Sequence, residues 1–257
     1  MTQDLNATYN KIAWCTIISP NSPEYFQELK DSGVTAAIVS LLTSGSRMLS
    51  SLTIRQVQSA RAAGMLVHAG AVTSLEYPER DADELMLRMR ESGFGKDRRV
   101  AIMALSDPAL DHQTERLRRM ITRLCHWCPV ENIDICLEKR QVVDGDIDLG
   151  ELPADLNLTI INPDALSAGV ETAGTWIYTN YFHEYPQFLA YDFYQYYSEE
   201  PADRGYQMGL TGEYEAQSGD NWWIIAKKHG MSLLDLLELN EADIDDRILP
   251  GEIIKVN

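Results

Sequence analysis

Between residues 10 and 137 the chain alternates short β-branched or apolar runs with stretches of helical period. The runs Ile12–Ile18, Ala36–Leu42, Leu66–Val72, Val100–Leu105 and Ile133–Leu137 are apolar on both faces. That pattern suits strands covered on two sides, as in a parallel sheet. Apolar spacing between them predicts helices over Pro23–Ser32, Thr53–Ala63, Ala82–Ser92 and Gln113–His126. Gly33, Gly64 and Gly93 close the first three, where a left-handed residue stops a helix. Three more strands are expected at Leu158–Ile161, Thr175–Tyr178 and Phe193–Tyr197, with abbreviated or missing helices between them. Eight strands in about 200 residues predict an α/β chain built on a closed (β/α)8 TIM-like barrel, not an open sheet.

The pattern breaks after Ser198. Residues 199–213 are polar and turn-rich and predict a linker between a barrel over 1–198 and a small unit over 214–257. In that unit Tyr214–Gln217 predicts a strand, Ser218-Gly219-Asp220 a turn, and Asn221–His229 a helix stopped by Gly230. Ser232 caps a second helix with an apolar face at Leu233, Leu236, Leu237 and Leu239. Pro250-Gly251 then turns into a closing strand. Trp222, Trp223 and the leucines must supply the core of this small α+β (βααβ) module, with Trp223 read as core.

The stretches "QSGDNWWIIAKKHGMS", "LLELN" and "ILPGEIIKV" resemble a LysM domain in order, spacing and residue type. The resemblance implies a module that binds N-acetylglucosamine-containing glycans such as peptidoglycan or chitin. The sugar would lie in a shallow groove, with Gly219, Asp220, Asn221 and Trp222 on one side and Asn240, Ile248, Leu249 and Pro250 on the other. Backbone amides there can bond the N-acetyl group while an apolar wall receives its methyl. Asp220 and Asn240 read equally well as a helix cap and a helix-end residue.

The larger unit is similar, over roughly residues 10–198, to a family 25 glycoside hydrolase, a muramidase barrel. The resemblance rests on "ELKDSGVTAAIVSLLTSGS", "VQSARAAGMLVHAG", "RRVAIMALSD" and, near the end, "YDFYQYYS". Such a hydrolase needs one carboxyl to protonate the leaving oxygen and another to attack or stabilise the anomeric centre. The family's D-x-E positions at the end of the fourth strand correspond here to Met103 and Leu105, and "IAWCTIIS" in the first strand contains no acid. The expectation is a barrel without that mechanism. Asp107, Glu138, Asp164 and Glu199 fall near the carboxyl ends of strands, where barrel active sites sit. Asp107 and Glu138 are the best candidates for a displaced catalytic pair. Against that, Asp107-Pro108 reads as a turn and Glu138 as the ion partner of Lys139 or Arg140. Tyr178, Tyr181, Tyr191, Tyr194, Tyr196 and Tyr197 fit a sugar cleft, strand packing or a protein interface.

Charge narrows the partners. Thirty-nine acidic against 22 basic side chains leave a formal charge of −17, so a nucleic acid or anionic membrane would gain nothing from the field. A neutral glycan, or the proteins of a particle, meets no such penalty. The first six residues lack a basic region before an apolar stretch, and no run of about 18 apolar residues occurs. Synthesis in a cytoplasm is expected, with release by lysis or carriage in a phage-like particle. The four cysteines, Cys15, Cys125, Cys128 and Cys136, are expected as reduced thiols. Cys125 and Cys128 have C-x-x-C spacing but close a helix before Pro129, which predicts buried helix-end thiols and neither zinc ligands nor a redox pair. The five histidines show no ligand spacing, so no metal and no cofactor is expected. Residues 137–157, acidic and turn-rich, read as a surface loop or small hairpin.

Overall fold

The computed structural model describes residues 9–45, 51–95, 98–198, 212–217, 220–229, 236, 239–240, 242 and 246–256. The chain divides near residue 201 into two compact units. Residues 199–211 of the linker predicted at 199–213 lie outside the described residues, as does most of the second helix of the C-terminal module.

The first unit is a closed barrel in which eight strands pair in chain order. They are β1 (Asn10–Cys15), β2 (Val34–Thr43), β3 (Leu66–Thr73), β4 (Val100–Ala104), β5 (Ile133–Glu138), β6 (Asn157–Ile161), β7 (Thr175–Phe182) and β8 (Tyr185–Asp192). Helices α1 (Pro23–Asp31), α2 (Ser51–Ala62), α3 (Pro78–Glu91) and α4 (Gln113–Leu124) cover the strands from outside, followed by the short α5 (Lys139–Val143). Gly33, Gly64 and Gly93 all have positive φ behind their helices. The first seven strands run parallel, but β8 runs antiparallel to both β7 and β1.

That last strand is the main correction to the sequence reading. It occupies Tyr185–Asp192 and not Phe193–Tyr197, because β7 continues to Phe182 and folds back through a tight turn at His183, φ 53°. After Asp192 the chain turns at Gln195, φ 56°, and sends Tyr196 and Tyr197 into the barrel. The stretch over 139–156 is also not a hairpin: it holds α5 and a single 3-10 turn at Leu149–Glu151.

The period-two alternation divides the strands cleanly. Ile12 and Trp14 of β1, Ala36 and Ile38 of β2, and Ala101 and Met103 of β4 pack inside the barrel. Their neighbours Ala13, Cys15, Ala37, Val39, Val100 and Ile102 pack outward under the helices. Trp14 is the largest inward side chain and donates its Nε1–H to Ser40 Oγ at 3.0 Å. It fits because β3 presents Gly70 there; a Cβ at that position would stand 2.9 Å from Ile38 Cγ2 and 3.5 Å from the Trp14 ring.

The amino end of the barrel is filled by a polar cluster. Asp134, fully buried, accepts hydrogen bonds from Asn157 Nδ2 (2.7 Å), Thr159 Oγ1 (2.7 Å) and Tyr197 Oη (2.5 Å). Asp192 accepts the backbone N–H groups of Tyr196 and Tyr197, His68 Nε2 meets the Tyr197 carbonyl, and Arg99 Nε donates to the Tyr196 carbonyl. One dipeptide thus closes the barrel floor through three strands, β3, β5 and β8, and through Arg99, the residue preceding β4. Burial pushes Asp192 from 3.8 to about 6 against those N–H bonds, with Asp134 adding to the rise.

A carboxyl whose value is raised by folding stabilises the fold while protonated, fully below its ordinary range. That contribution is lost as pH climbs through about 6. We therefore expect the wild type to lose on the order of 2–3 kcal/mol relative to Asp192→Asn between pH 4 and 7. Denaturant midpoints of the two proteins across that range check this; a difference that does not change with pH contradicts it.

Candidate functional site

The carboxyl ends of β1–β7 and the amino end of β8 form the mouth of the barrel, the face on which barrel enzymes carry their sites. Met103 points into the barrel and is buried there, and Leu105, just beyond β4, is 44% exposed. Asp107 Oδ1 accepts the Ala109 N–H at 2.9 Å, and its carbonyl accepts from Gln113 Nε2, so the residue organises the turn leading towards α4. Glu138 is the N-cap of α5 in a reciprocal capping box with Gln141, and it pairs with Arg140 Nε at 2.5 Å. Each candidate acid therefore has a local structural task. Asp164 sits in a left-handed turn, φ 59°, after β6, and Glu199 lies outside the described residues.

A further carboxylate near the mouth carries no sequence signal of its own. Asp81 of α3, almost fully buried, accepts from Ser44 Oγ (2.6 Å) and Thr73 Oγ1 (2.9 Å), tying the ends of β2 and β3 together from behind. The buried pair Asp134 and Asp192 is at the opposite end of the barrel and sealed by Tyr197. Between β1 and the β7–β8 hairpin lies a depression of about 210 Å³ lined by Thr16, Ile18, Tyr181, Pro186, Gln187, Phe188 and Asn180, with no carboxylate in its wall. Of the six tyrosines, Tyr181 is 58% exposed at this depression. Tyr178 and Tyr191 stack on each other at 4.3 Å, and Tyr196 and Tyr197 fill the floor. Among the described residues no group of three or more His, Cys, Asp or Glu side chains is placed to hold a metal ion. No described helix is long and apolar enough to cross a membrane.

In the second unit β9 (Gly212–Glu215) pairs antiparallel with β10 (Ile253–Val256), and α6 (Trp222–Lys228) packs on them. Ala216, Trp222, Ile225, Ala226, Leu236, Ile254 and Val256 form its core. Two cross-bonds, Gly251 N–H to Ala216 O and Ala216 N–H to Glu252 O, both 2.8 Å, hold the loop after β9 beside the loop before β10. The structure thus brings together the two loops named from the sequence.

Their side chains divide by task. Asn221, and not Asp220, is the cap of α6: its Oδ1 accepts the Ile224 N–H at 2.9 Å. Asp220 Oδ2 accepts from Tyr214 Oη (2.6 Å) and the Gln217 N–H (2.7 Å), which holds the carboxyl below its ordinary value. Asn240 clamps β10 through two 2.8 Å bonds to the Lys255 backbone. Trp222 is a core residue, 6% exposed, and donates Nε1–H to Asp246 O at 2.8 Å. Its assignment to the groove wall is corrected accordingly. Leu249, 64% exposed, and Pro250 stand free on the loop, with Ile248 half-buried against the core. Gly219 and the side chain of Trp223 lie outside the described residues.

Residues 214–257 match the LysM domain family. A segment of 43 residues, 17% of the chain, is 44% identical to the uncharacterized protein YkzQ of Bacillus subtilis and spans 56% of that protein's length. The barrel is similar in fold to a family 25 glycosyl hydrolase from Bacillus anthracis, with TM-score 0.56 and 12% identity over 73% of this chain and 90% of that one. It is equally similar to GHIP, a glycosyl hydrolase 25 of Streptococcus pneumoniae, with TM-score 0.56 and 12% identity over 70% and 86% of the two chains. The modular autolysin LytC of the same organism, solved with a synthetic peptidoglycan ligand, gives TM-score 0.55 and 12% identity, over 71% of this chain and 46% of that one.

The division between core and free loop residues has a measurable consequence. Trp222→Ala should remove about 3–5 kcal/mol from the second unit, whereas Leu249→Ala, at an exposed position, should stay within about 0.5 kcal/mol. Hydrogen exchange at the β10 amides of the full chain reads both. Unchanged protection in Trp222→Ala would show that the tryptophan is not the core of the module.

Proposed function

We propose that this chain is a cell-wall glycan-binding protein whose LysM module supplies the binding and whose muramidase-like barrel does not hydrolyse the glycan. The observation that carries the reading is the LysM match over residues 214–257, joined to two loops zipped side by side. An N-acetylglucosamine unit of peptidoglycan or chitin would bond to the backbone of these loops, with its methyl against Leu249 and Pro250. The side chains of Asp220 and Asn240 are committed to shaping the loops. A single shallow site of this kind binds weakly, with Kd of roughly μM to mM.

Loss of hydrolysis is supported by the local tasks of Asp107 and Glu138 and by the apolar identity of Met103 and Leu105. In this reading the protein acts as a phage- or prophage-related wall binder, released by lysis or carried on a particle. A second reading is favoured by one observation. The loops of the barrel mouth expose Ile17, Ile18, Leu105, Leu166, Tyr181 and Tyr185, a concentration that suits docking of another protein in an assembly.

The full chain should cosediment with purified peptidoglycan, and Leu249→Asp should lower the bound fraction several-fold while β10 stays protected from exchange. No cosedimentation at about 100 μM protein rejects the wall-binding reading, since a site of the expected strength would be measurably filled. Turbidity of a wall suspension should stay constant with the wild type. Clearing that disappears in Asp107→Asn or Glu138→Gln would restore an active hydrolase. Recovery in a stoichiometric complex with another protein would favour the second reading.

A further inference from the structure

The four thiols differ sharply in setting. Cys15 and Cys136 are fully buried in the barrel wall and interior, whereas Cys125 is exposed and Cys128 buried. The sequence expectation of two buried helix-end thiols is thus correct for Cys128 and wrong for Cys125. Between them the chain keeps a tight helical turn. Cys125 N–H bonds Ile121 O (2.9 Å), His126 N–H bonds Arg123 O (3.3 Å), and the N–H groups of Trp127 and Cys128 share Leu124 O (2.8 and 3.1 Å).

Residues three apart in such a turn have Cβ atoms about 5–6 Å from each other. A disulfide wants them about 3.5–4.5 Å apart, with Cα atoms within about 7 Å. The remaining approach is one to two ångströms, roughly, at a helix end. There the Cys128 side chain, packed at the edge of the layer under the helices, makes one long Sγ hydrogen bond to Leu124 O, 3.7 Å.

We propose that Cys125 and Cys128 are an oxidation site, closing to an intramolecular disulfide when the protein meets a small disulfide oxidant such as glutathione disulfide. Cys125, the accessible sulfur, loses its proton and attacks the oxidant, forming a mixed disulfide and expelling one glutathione thiolate. Cys128 then loses its proton and attacks the Cys125 sulfur, expelling the second. Two protein thiols are oxidised to one S–S bond by two electrons, and the oxidant is reduced to two glutathione thiolates that take up the two protons given up by Cys125 and Cys128, so none is released net.

The surroundings also say what kind of disulfide this is. Burial pushes Cys128 up to about 12 and raises Cys125, and Glu131 adds to both. Working dithiols have the reverse arrangement: a stabilised thiolate makes their disulfide easily reduced. With no thiolate stabilisation here, the bond forms slowly and resists reduction once made, so it staples the end of α4 and does not cycle. In a reducing compartment both sulfurs stay thiols.

The test is incubation of the native full chain with glutathione disulfide, followed by intact mass and peptide mapping. Loss of two hydrogens, a 125–128 cross-link and free Cys15 and Cys136 on unfolding are expected. The rate should rise about tenfold per pH unit between about 7 and 9, as the thiolate fraction does. Cys128→Ala should stop at one glutathione on Cys125, and Cys125→Ser should not react. A lasting glutathione adduct on wild-type Cys125, a covalent dimer through it, or an unchanged mass after days at pH 8.5 would each overturn the proposal. The wild-type measurement decides it even where a variant fails to fold.

Discussion

A closed eight-stranded barrel has an interior that side chains must fill, and a polar group placed there must find all of its partners inside. In this chain Asp134 imposes the strictest form of that constraint. A carboxylate with no exposure needs several donors at once, and it receives them from Asn157, Thr159 and Tyr197. Tyr197 can reach it only because the chain after β8 turns back under the barrel, and Asp192 holds that turn through the N–H groups of residues 196 and 197. The direction of β8, the closure of the floor and the filling of the barrel above it by Trp14 and Met103 are thus linked. The acids of the interior are spent at the floor, and the depression between β1 and the β7–β8 hairpin has no carboxylate in its wall.

That distribution bears directly on chemistry. Glycosidic cleavage needs two carboxyl groups within reach of one bond and of solvent. The two buried carboxylates that sit near each other here, Asp134 and Asp192, lie at the sealed amino end. Three near the mouth are engaged: Glu138 by the α5 cap and Arg140, Asp107 by its own turn, Asp81 by Ser44 and Thr73. Similar folds in the family 25 hydrolases establish the architecture and not the reaction, which belongs to the site.

The first seven strands were legible in the sequence because two-sided burial writes continuous apolar runs, and glycines mark where the first three helices stop. The eighth was missed for a definite reason. Its run, "YPQFLAYD", carries Pro186 and Gln187, and proline argues against a strand unless the strand is at an edge or just beginning. Pro186 stands second in β8, in the hairpin at the mouth, where that exception applies. The aromatic run after Asp192 looked more strand-like, yet its tyrosines are floor residues. Asp134 was the available signal: an acid in the middle of "NIDICLE" has to be fully partnered if the run is buried on both faces. In the small module, motif resemblance named two loops that the structure holds side by side. It did not distinguish groove side chains from structural ones, because an Asn at a helix end caps, clamps or binds with the same atoms.

The small module shows why that ambiguity matters for affinity. Asp220, Asn221, Asn240 and Trp222 are each bonded within the unit: to Tyr214 and Gln217, to Ile224, to Lys255, and to Asp246. Such bonds tie down the described residues of the two loops independently of any ligand, and in the proposed reading this lowers the ordering cost of binding. The same commitment takes most named polar side chains out of direct recognition and leaves backbone groups beside an exposed leucine and proline. Recognition by backbone and apolar surface is insensitive to the strongly negative charge of the chain. A field of −17 would repel an anionic wall polymer, while a neutral acetamido sugar meets the groove without that opposition. Selectivity among wall components would then follow from charge exclusion across the whole surface combined with shape at one loop pair, and raising the salt should relax the exclusion while leaving contact with the neutral sugar largely unchanged.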